Sequence, residues 1–359
     1  MLFSGCSTRN NLKDLSVVEG VGIDFADGKI TATVQSLNLI KEGSGAEALS
    51  GNVTMNTVGQ GSTISSAIES VSKTTSKKLF FGQNRIVVFG MDMAESYLDK
   101  SLDYLLRSSD SRSDVTIAIA EKEAAEIMES PENESLVPAQ TISSLLCLSE
   151  KSGYGAHVTT NELLNAYADK TSDIYLPVLG VKEKSSTVLG IAIYNDTNLV
   201  KILDENESFG FLFLRNKVEQ GLLQLKDENL GEIGTDIISA KTKAKADYKD
   251  GRVVFKIKIK TSVMLDEVEH GITNELSDKE LKAIEKLAEE RIAQFCEMAF
   301  NACIQNKSDS LRIGEYLAMC KPEVYSRLSD DWENHLQNAQ LDVDVKCKLS
   351  KINENSEGN

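Results

Sequence analysis

The side chain whose neighbours most clearly suggest a chemistry is Cys6, in Met1-Leu2-Phe3-Ser4-Gly5-Cys6-Ser7. An apolar run, small residues and then a cysteine form the tail of a bacterial lipoprotein signal. In that chemistry the thiol attacks a diacylglyceryl donor, and the small residue before it fits the signal peptidase. The competing reading is a surface thiol near a ragged terminus. Phe3 stands where Leu is usual, and a charged leader and most of an apolar core are missing before Cys6. A start codon assigned downstream of the true one is the favoured account, with truncation as the other. Two or three acyl chains, at about 0.8 kcal/mol per buried methylene, hold a protein at a bilayer essentially permanently, whereas one does not.

The remaining thiols, Cys147, Cys296, Cys303, Cys320 and Cys347, show no C-x-x-C spacing and no dense disulfide pattern. Cys296 and Cys303 fall two turns apart on one expected helix, and with Cys320 they are expected to be buried thiols. Cys347 shares a strand face with Leu341, Val343, Val345 and Leu349 and reads as a small buried hydrophobe. His157, His270 and His335 lack any partner at metal-ligand spacing, so no metal site is expected. Gly20-Val21-Gly22 lacks the third glycine and the following helix of a dinucleotide site and reads as strand and bulge glycine. There is no G-x-S-x-G elbow, H-E-x-x-H pair or phosphate-binding loop, and Asp330-Asp331 reads as helix-start charge. Neither catalysis nor a cofactor is expected.

One charged pattern remains. Lys241, Lys243 and Lys245 alternate along one expected strand, Lys256, Lys258 and Lys260 along its hairpin partner, and Lys346 and Lys348 along the last strand. Alternation places each set on a single face, which makes one sheet face basic. Two readings stay open: a solvated face with edge protection, or a surface that meets anionic lipid headgroups or an acidic partner.

The elements that would position these groups follow from periodicity. With 41% hydrophobic and 26% charged residues, the 359-residue chain has ordinary globular composition and enough length for two or three compact units. A formal net charge of −16 disfavours nucleic acid as a partner. No stretch reaches the roughly 18 to 20 apolar residues of a spanning helix, so membrane attachment is expected to be covalent or through partners. Val17–Asp24 and Lys29–Ile40 flank Asp27-Gly28, a hairpin signal. Glu42–Gly61 reads as a flexible Gly/Ser loop, followed by a helix carrying Ile64, Ala67, Ile68 and Val71 behind a Ser62 or Thr63 cap. A strand over Arg85–Phe89 leads into a helix with Met93, Tyr97, Leu98, Leu102 and Leu105, and a strand follows over Val115–Ala120.

From Thr187 the pattern turns to short strands, ending in two alternating segments joined through Tyr248 to Gly251. Ser277 and Glu280 form an S-x-x-E capping box ahead of a stripe running from Leu281 to Ala299, a helix of about 40 Å that should lie across a sheet. The expected class is α+β and multi-domain, with mixed or antiparallel sheets flanked by helices. The expected divisions are 1–6 for the residual signal and 7–185 for an N-terminal α+β region. Within that region a sheet domain covers about 7–130 and a helical connecting subdomain about 131–185. A C-terminal α+β domain covers 186–352, with a disordered tail at 353–359.

In their order and spacing these segments resemble the Ger(x)C family of spore-germination lipoproteins over nearly the whole chain. The resemblance rests on Gly5-Cys6, LKDLSVVEGVGID (Leu12–Asp24), GSTISSAIE (Gly61–Glu69), LFFGQNRIVVFG (Leu79–Gly90), LDYLLRSSDSRSDV (Leu102–Val115), Leu176-Pro177 and LGIAIYNDTNLV (Leu189–Val200). Asp309, Ile313-Gly314 and Trp332, placed before LDVDVKCKL (Leu341–Leu349), complete it. The chain departs from the family at Ser7-Thr8, where Trp-Asp is frequent, and at Gln83-Asn84, where a Ser-His pair is common. The resemblance implies a non-catalytic C subunit of a nutrient germinant receptor, lipidated at Cys6 on the outer face of the spore inner membrane. Its implied partners are a polytopic A subunit and a transporter-like B subunit. The other class of function weighed is a lipid-anchored solute-binding protein that captures the germinant; such binders usually show parallel βαβ halves and an aromatic-lined cleft.

Overall fold

The computed structural model describes residues 14–38, 53–108, 112–129, 137–269 and 277–350. Cys6, His270 and the tail from 353 lie outside the described residues. Contacts divide the chain into two units: one runs to Ser144 and includes Thr159–Asn161 and Leu179–Thr187, and the other takes Leu145–Val158, Glu162–Val178 and Val188 onward. The 131–185 stretch is thus shared between them.

In the N-terminal unit, β1 (Leu15–Ala26) and β2 (Lys29–Leu37) pair antiparallel across Asp27 and Gly28, whose φ values of 51° and 75° make the tight turn expected of Asp-Gly. Next comes β3 (Thr54–Gly61), antiparallel to β2, where the sequence reads as loop. The glycines that give that impression serve packing instead. α1 (Ile64–Ser72) lies so close that a Cβ on Gly59 would sit 2.4 Å from the Ala67 carbonyl oxygen and one on Gly61 2.5 Å from the Ala67 nitrogen. Thr63 caps α1 through a reciprocal pair with Ser66.

The unit continues with β4 (Lys78–Phe80), β5 (Ile86–Phe89), α2 (Met91–Ser96), α3 (Leu98–Arg107), β6 (Thr116–Ala120) and α4 (Ala124–Glu129). The single helix expected from Met93 to Leu105 is two, broken at Tyr97. The sheet order is β6-β5-β1-β2-β3. β5 runs parallel to both β1 and β6, and every residue of β5 and β6 is buried, as parallel strands covered on both faces must be. The Asp24 carboxylate accepts the Ala124 and Ala125 N–H groups at 2.6 and 3.1 Å, which fixes α4 by its first turn.

Along the chain next come α5 (Pro138–Lys151), β7 (Val158–Thr159), α6 (Thr160–Ala168), β8 (Tyr175–Lys182), β9 (Ser185–Asn195), β10 (Asn198–Leu203) and α7 (Glu205–Leu214). The four-stranded sheet of the C-terminal unit is built from β11 (Gly221–Asp227), β12 (Gly231–Lys249), β13 (Arg252–Val268) and β14 (Gln340–Ser350), in that order. The first three strands are antiparallel, and β14 joins parallel to β13.

Between β13 and β14 come α8 (Asp278–Gln305), α9 (Ile313–Cys320), α10 (Pro322–Leu328) and α11 (Trp332–Gln337). α8 starts at the expected Ser277/Glu280 box and buries Ile284, Ala288, Ile292, Phe295, Cys296, Ala299 and Cys303 along one stripe. It packs on β14, β11 and α7. Glu289 and Glu285 of α8 accept the Cys347 and Leu349 N–H groups at 3.0 and 2.9 Å, which closes the open edge of β14. Cys296, Cys303 and Cys347 are buried as expected, but Cys320 is exposed at the last residue of α9. No described helix is long and apolar enough to cross a membrane.

A candidate basic interaction face

Register decides whether the alternating lysines form a patch. Lys241 stands opposite Lys260, Lys243 opposite Lys258, and Lys245 opposite Lys256, all on the β12–β13 hairpin. Their neighbours of opposite parity, Thr242, Ala246, Phe255, Ile257 and Ile259, are buried, so the lysines line the outer face. The Asp250-Gly251 turn (φ 52° and 80°) carries the pattern on to Lys249 opposite Arg252. These two cations were missed in the sequence, although counting by twos through the hairpin reaches both. Lys346 and Lys348 extend the face onto β14, opposite Lys260 and Ser262.

Folding accounts for only part of this arrangement: Asp342 and Asp344 oppose Lys256 and Lys258 on β14, but Lys241, Lys243 and Lys245 oppose only lysines. Like charges directly opposite one another on a sheet are destabilising. Edge protection can apply to β12, which lacks a β11 partner beyond Ile237. That edge is already met by Asn216, which accepts the Thr242 N–H at 2.6 Å, and by α9. It cannot apply to Lys256, Lys258 and Lys260, because β13 is flanked by both β12 and β14 at these residues.

Acids border the patch. Asp342 and Asp344 lie opposite Lys256 and Lys258 on β14, and Asp236 follows beyond the irregularity between Ile237 and Ser239. Lys256 is engaged by Asp247 at 2.8 Å, and Lys346 lies 3.8 Å from Asp344. Among the described residues, no ion pair engages Lys241, Lys243, Lys245, Lys258 or Lys260.

Lys256 and Lys321, together with the Tyr248 N–H, hold the Asp247 carboxyl well below the usual carboxylate range. A depressed carboxyl supports the fold above its unfolded value and withdraws that support as pH falls below about 4. Asp247→Asn should therefore lower stability at neutral pH by less than about 1 kcal/mol, as exposed pairs do. It should also flatten the acid limb of a urea-denaturation series.

Elsewhere in the C-terminal unit a cavity of about 290 Å³ is lined by Glu162, Asp169, Asp173, Tyr175, Arg215, Lys217 and Arg312 among others. Arg215 stacks over the Tyr175 ring at 5.0 Å and donates to the Ser310 carbonyl at 3.2 Å, while Lys217 pairs with Glu150 and Glu162 at 3.3 and 3.6 Å. These residues are distant in sequence and carry no spacing signal. Asp309 behaves differently. Its buried carboxyl accepts the Ile313 and Gly314 N–H groups at 2.6 and 2.7 Å and the Trp332 indole N–H at 2.9 Å. The Asp309 N–H in turn donates to Asp173 at 2.6 Å. Asp309, Ile313-Gly314 and Trp332, separate signposts in the sequence, are thus one hydrogen-bonded knot joining the starts of α9 and α11. In the N-terminal unit, Asn84 is buried and its Oδ1 has no hydrogen-bond partner among the described residues. No group of three or more potential metal ligands occurs among the described residues.

The molecule is therefore a two-unit α+β protein with a basic face on the sheet of its C-terminal unit. Residues 8–181 match the family model described as spore germination protein N-terminal domain, and residues 189–353 match the one described as spore germination B3/GerAC like, C-terminal. The chain belongs to the Ger(x)C family of spore germination proteins, the C subunits of germinant receptors. It is 24% identical to spore germination protein KC of Bacillus subtilis (strain 168), over 97% of this chain and 91% of that protein. It is also 24% identical to spore germination protein GerQC of Bacillus cereus, over 98% and 96%. The crystal structure of the GerBC protein superposes with a TM-score of 0.62 at 16% identity, covering 92% of this chain and 97% of that one, and so shares the fold.

Proposed function

We propose that this chain is the C subunit of a nutrient germinant receptor, held at the outer face of the spore inner membrane by acyl chains on Cys6. It acts by docking, supporting assembly or signalling with an A and a B subunit, and carries out no catalysis. In this reading 7–185 and 186–352 are its two working regions, with 131–185 linking them. The observation that carries the proposal is the match of both halves, in order, to the two spore germination family models.

The test is a chain given an upstream leader and fed a palmitate analogue. Label is expected at Cys6, together with co-purification of A and B subunits. Cys6→Ala should abolish labelling, lower the share of the chain in the membrane fraction and weaken the nutrient response, because the acyl chains no longer contribute to holding it. An unlabelled Cys6, with the chain still in the membrane fraction, would leave attachment through partners alone.

The cavity around Arg215 favours a second reading, direct capture of a small charged germinant. Cavities of this kind with a few convergent polar groups bind small solutes. Calorimetry with amino acids and sugars separates the two, since the docking role predicts no heat of binding.

A further inference from the structure

We infer that the outer face of the β12–β13 hairpin, extended by β14, is a docking surface for an anionic lipid bilayer. The inference rests on the proposed function only for its setting, a membrane surface.

Three observations choose a bilayer over other polyanions. First, the cations spread in two dimensions. From Lys241 and Lys260 to Lys249 and Arg252 the hairpin carries them over eight residue steps, about 27 Å, and β14 widens the array by a strand spacing of about 5 Å. A plane of headgroups matches such a grid better than a single acidic segment does. Second, apart from Arg252 the cations are lysines. Lysine is a hydrated point charge on a flexible stem and suits diffuse headgroup charge, whereas carboxylate-specific recognition favours the arginine fork. Third, the residues that share this face with the cations, Asp247, Val254, Ser262 and, on β14, Asp342 and Asp344, offer no aromatic ring on which a nucleic-acid base could stack.

The charge of the whole molecule makes the face directional. At −16 the chain as a whole is repelled by an anionic surface, so an orientation that presents Lys241, Lys243, Lys245, Lys258 and Lys260 is favoured over the average one. These are the cations with no ion pair to break on contact. The acyl tether and this face then act as two anchors, and together they set how the protein stands on the membrane.

The experiment uses the full chain carrying Cys6→Ser, so that no acyl chain contributes, in flotation with vesicles of phosphatidylcholine alone or with about 30 mol% phosphatidylglycerol. Binding to the anionic vesicles should be at least about tenfold stronger and should vanish at about 1 M salt, where screening acts within about 3 Å. Lys243→Glu with Lys245→Glu should remove at least about tenfold of that binding. Because the new carboxylates face Lys258 and Lys256, this variant gains cross-strand ion pairs and should fold at least as well. Lys29→Glu with Lys122→Glu makes the same change in net charge on the N-terminal unit and should bind as the parent does.

Equal binding to both vesicle types, or equal loss in the two double variants, would overturn the inference. Tight binding to polyglutamate without binding to phosphatidylglycerol would overturn it in favour of an acidic protein partner. None of these outcomes touches Cys6 or receptor membership, which the labelling and co-purification experiment decides separately.

Discussion

Asp309→Ala should cost the C-terminal unit about 3–5 kcal/mol, because it leaves two buried N–H donors and a third, half-buried one without an acceptor at about 1–3 kcal/mol each. Those donors are Ile313, Gly314 and the Trp332 indole. The readout is built in. Trp332 is the chain's one tryptophan, so its emission should shift as the indole loses its acceptor, and the same signal follows urea unfolding. Asp309→Asn should cost less, about 1–3 kcal/mol, since its amide oxygen still accepts while its NH2 opposes one donor. Trp332→Phe should cost about 1 kcal/mol, and in combination with Asp309→Ala it should be less than additive.

The same carboxyl gives a pH signature. Burial is the largest influence on it, opposed by the Gly314 and Ile313 N–H groups and reinforced by Asp173, and the result is pushed up to about 8. A carboxyl raised in the folded state supports the fold below its unfolded value and loses that support as pH climbs from about 4 towards about 8. Asp309→Asn should remove this dependence, so parent and variant denaturation curves should converge as pH rises. Curves that stay parallel across that range would refute the assignment.

The second large effect is steric. A Cβ on Gly210 would lie 1.9 Å from the Phe295 carbonyl oxygen and 2.3 Å from its carbon. Both are backbone atoms of α8 and cannot rotate away. α7 is buried over Gly210–Leu214 and packs on α8, with Phe209 5.1 Å from Phe213 and 5.4 Å from Phe295 between ring centres. Gly210→Ala should therefore separate the two helices and cost about 1–3 kcal/mol, visible as a lowered urea midpoint. Gly210→Val should leave the C-terminal unit unfolded. Unchanged stability in Gly210→Ala would show that the contact relaxes without loss.

What the sequence discloses depends on how local each signal is. The Asp27-Gly28 turn, the Ser277/Glu280 box, the long stripe of α8 and the alternation through β12, β13 and β14 are local patterns, and each appears where periodicity puts it. The bulge glycine is equally legible, since β1 shifts register between Val18 and Gly20. β3 is missed because Gly59 and Gly61 serve a tertiary contact with α1 while reading locally as loop. Cys320 is misjudged because the last residue of a short helix can turn outward whatever its polarity.

The candidate face is legible as residues but not as a patch. Alternation assigns each lysine to a side of its own strand, and only the register through the Asp250-Gly251 turn sets Lys243 against Lys258. The knot at Asp309 shows the reverse case. Its members are quotable from the sequence, yet their shared purpose requires α9 and α11 to begin beside one carboxyl. The Arg215 cavity has no local signal, because its lining comes from α6, β8, the segment after α7 and α9.

The burial of the thiols on α8 and β14 bears on redox behaviour. Burial raises Cys296 and Cys303 far above the ordinary thiol range and Cys347 to about 12, so none of the three offers a thiolate at physiological pH. Peroxide or a maleimide dye meeting the folded C-terminal unit would find only the exposed sulfurs of Cys147 and Cys320. Fluorophores can thus be placed at those two points while the interior sulfurs stay silent.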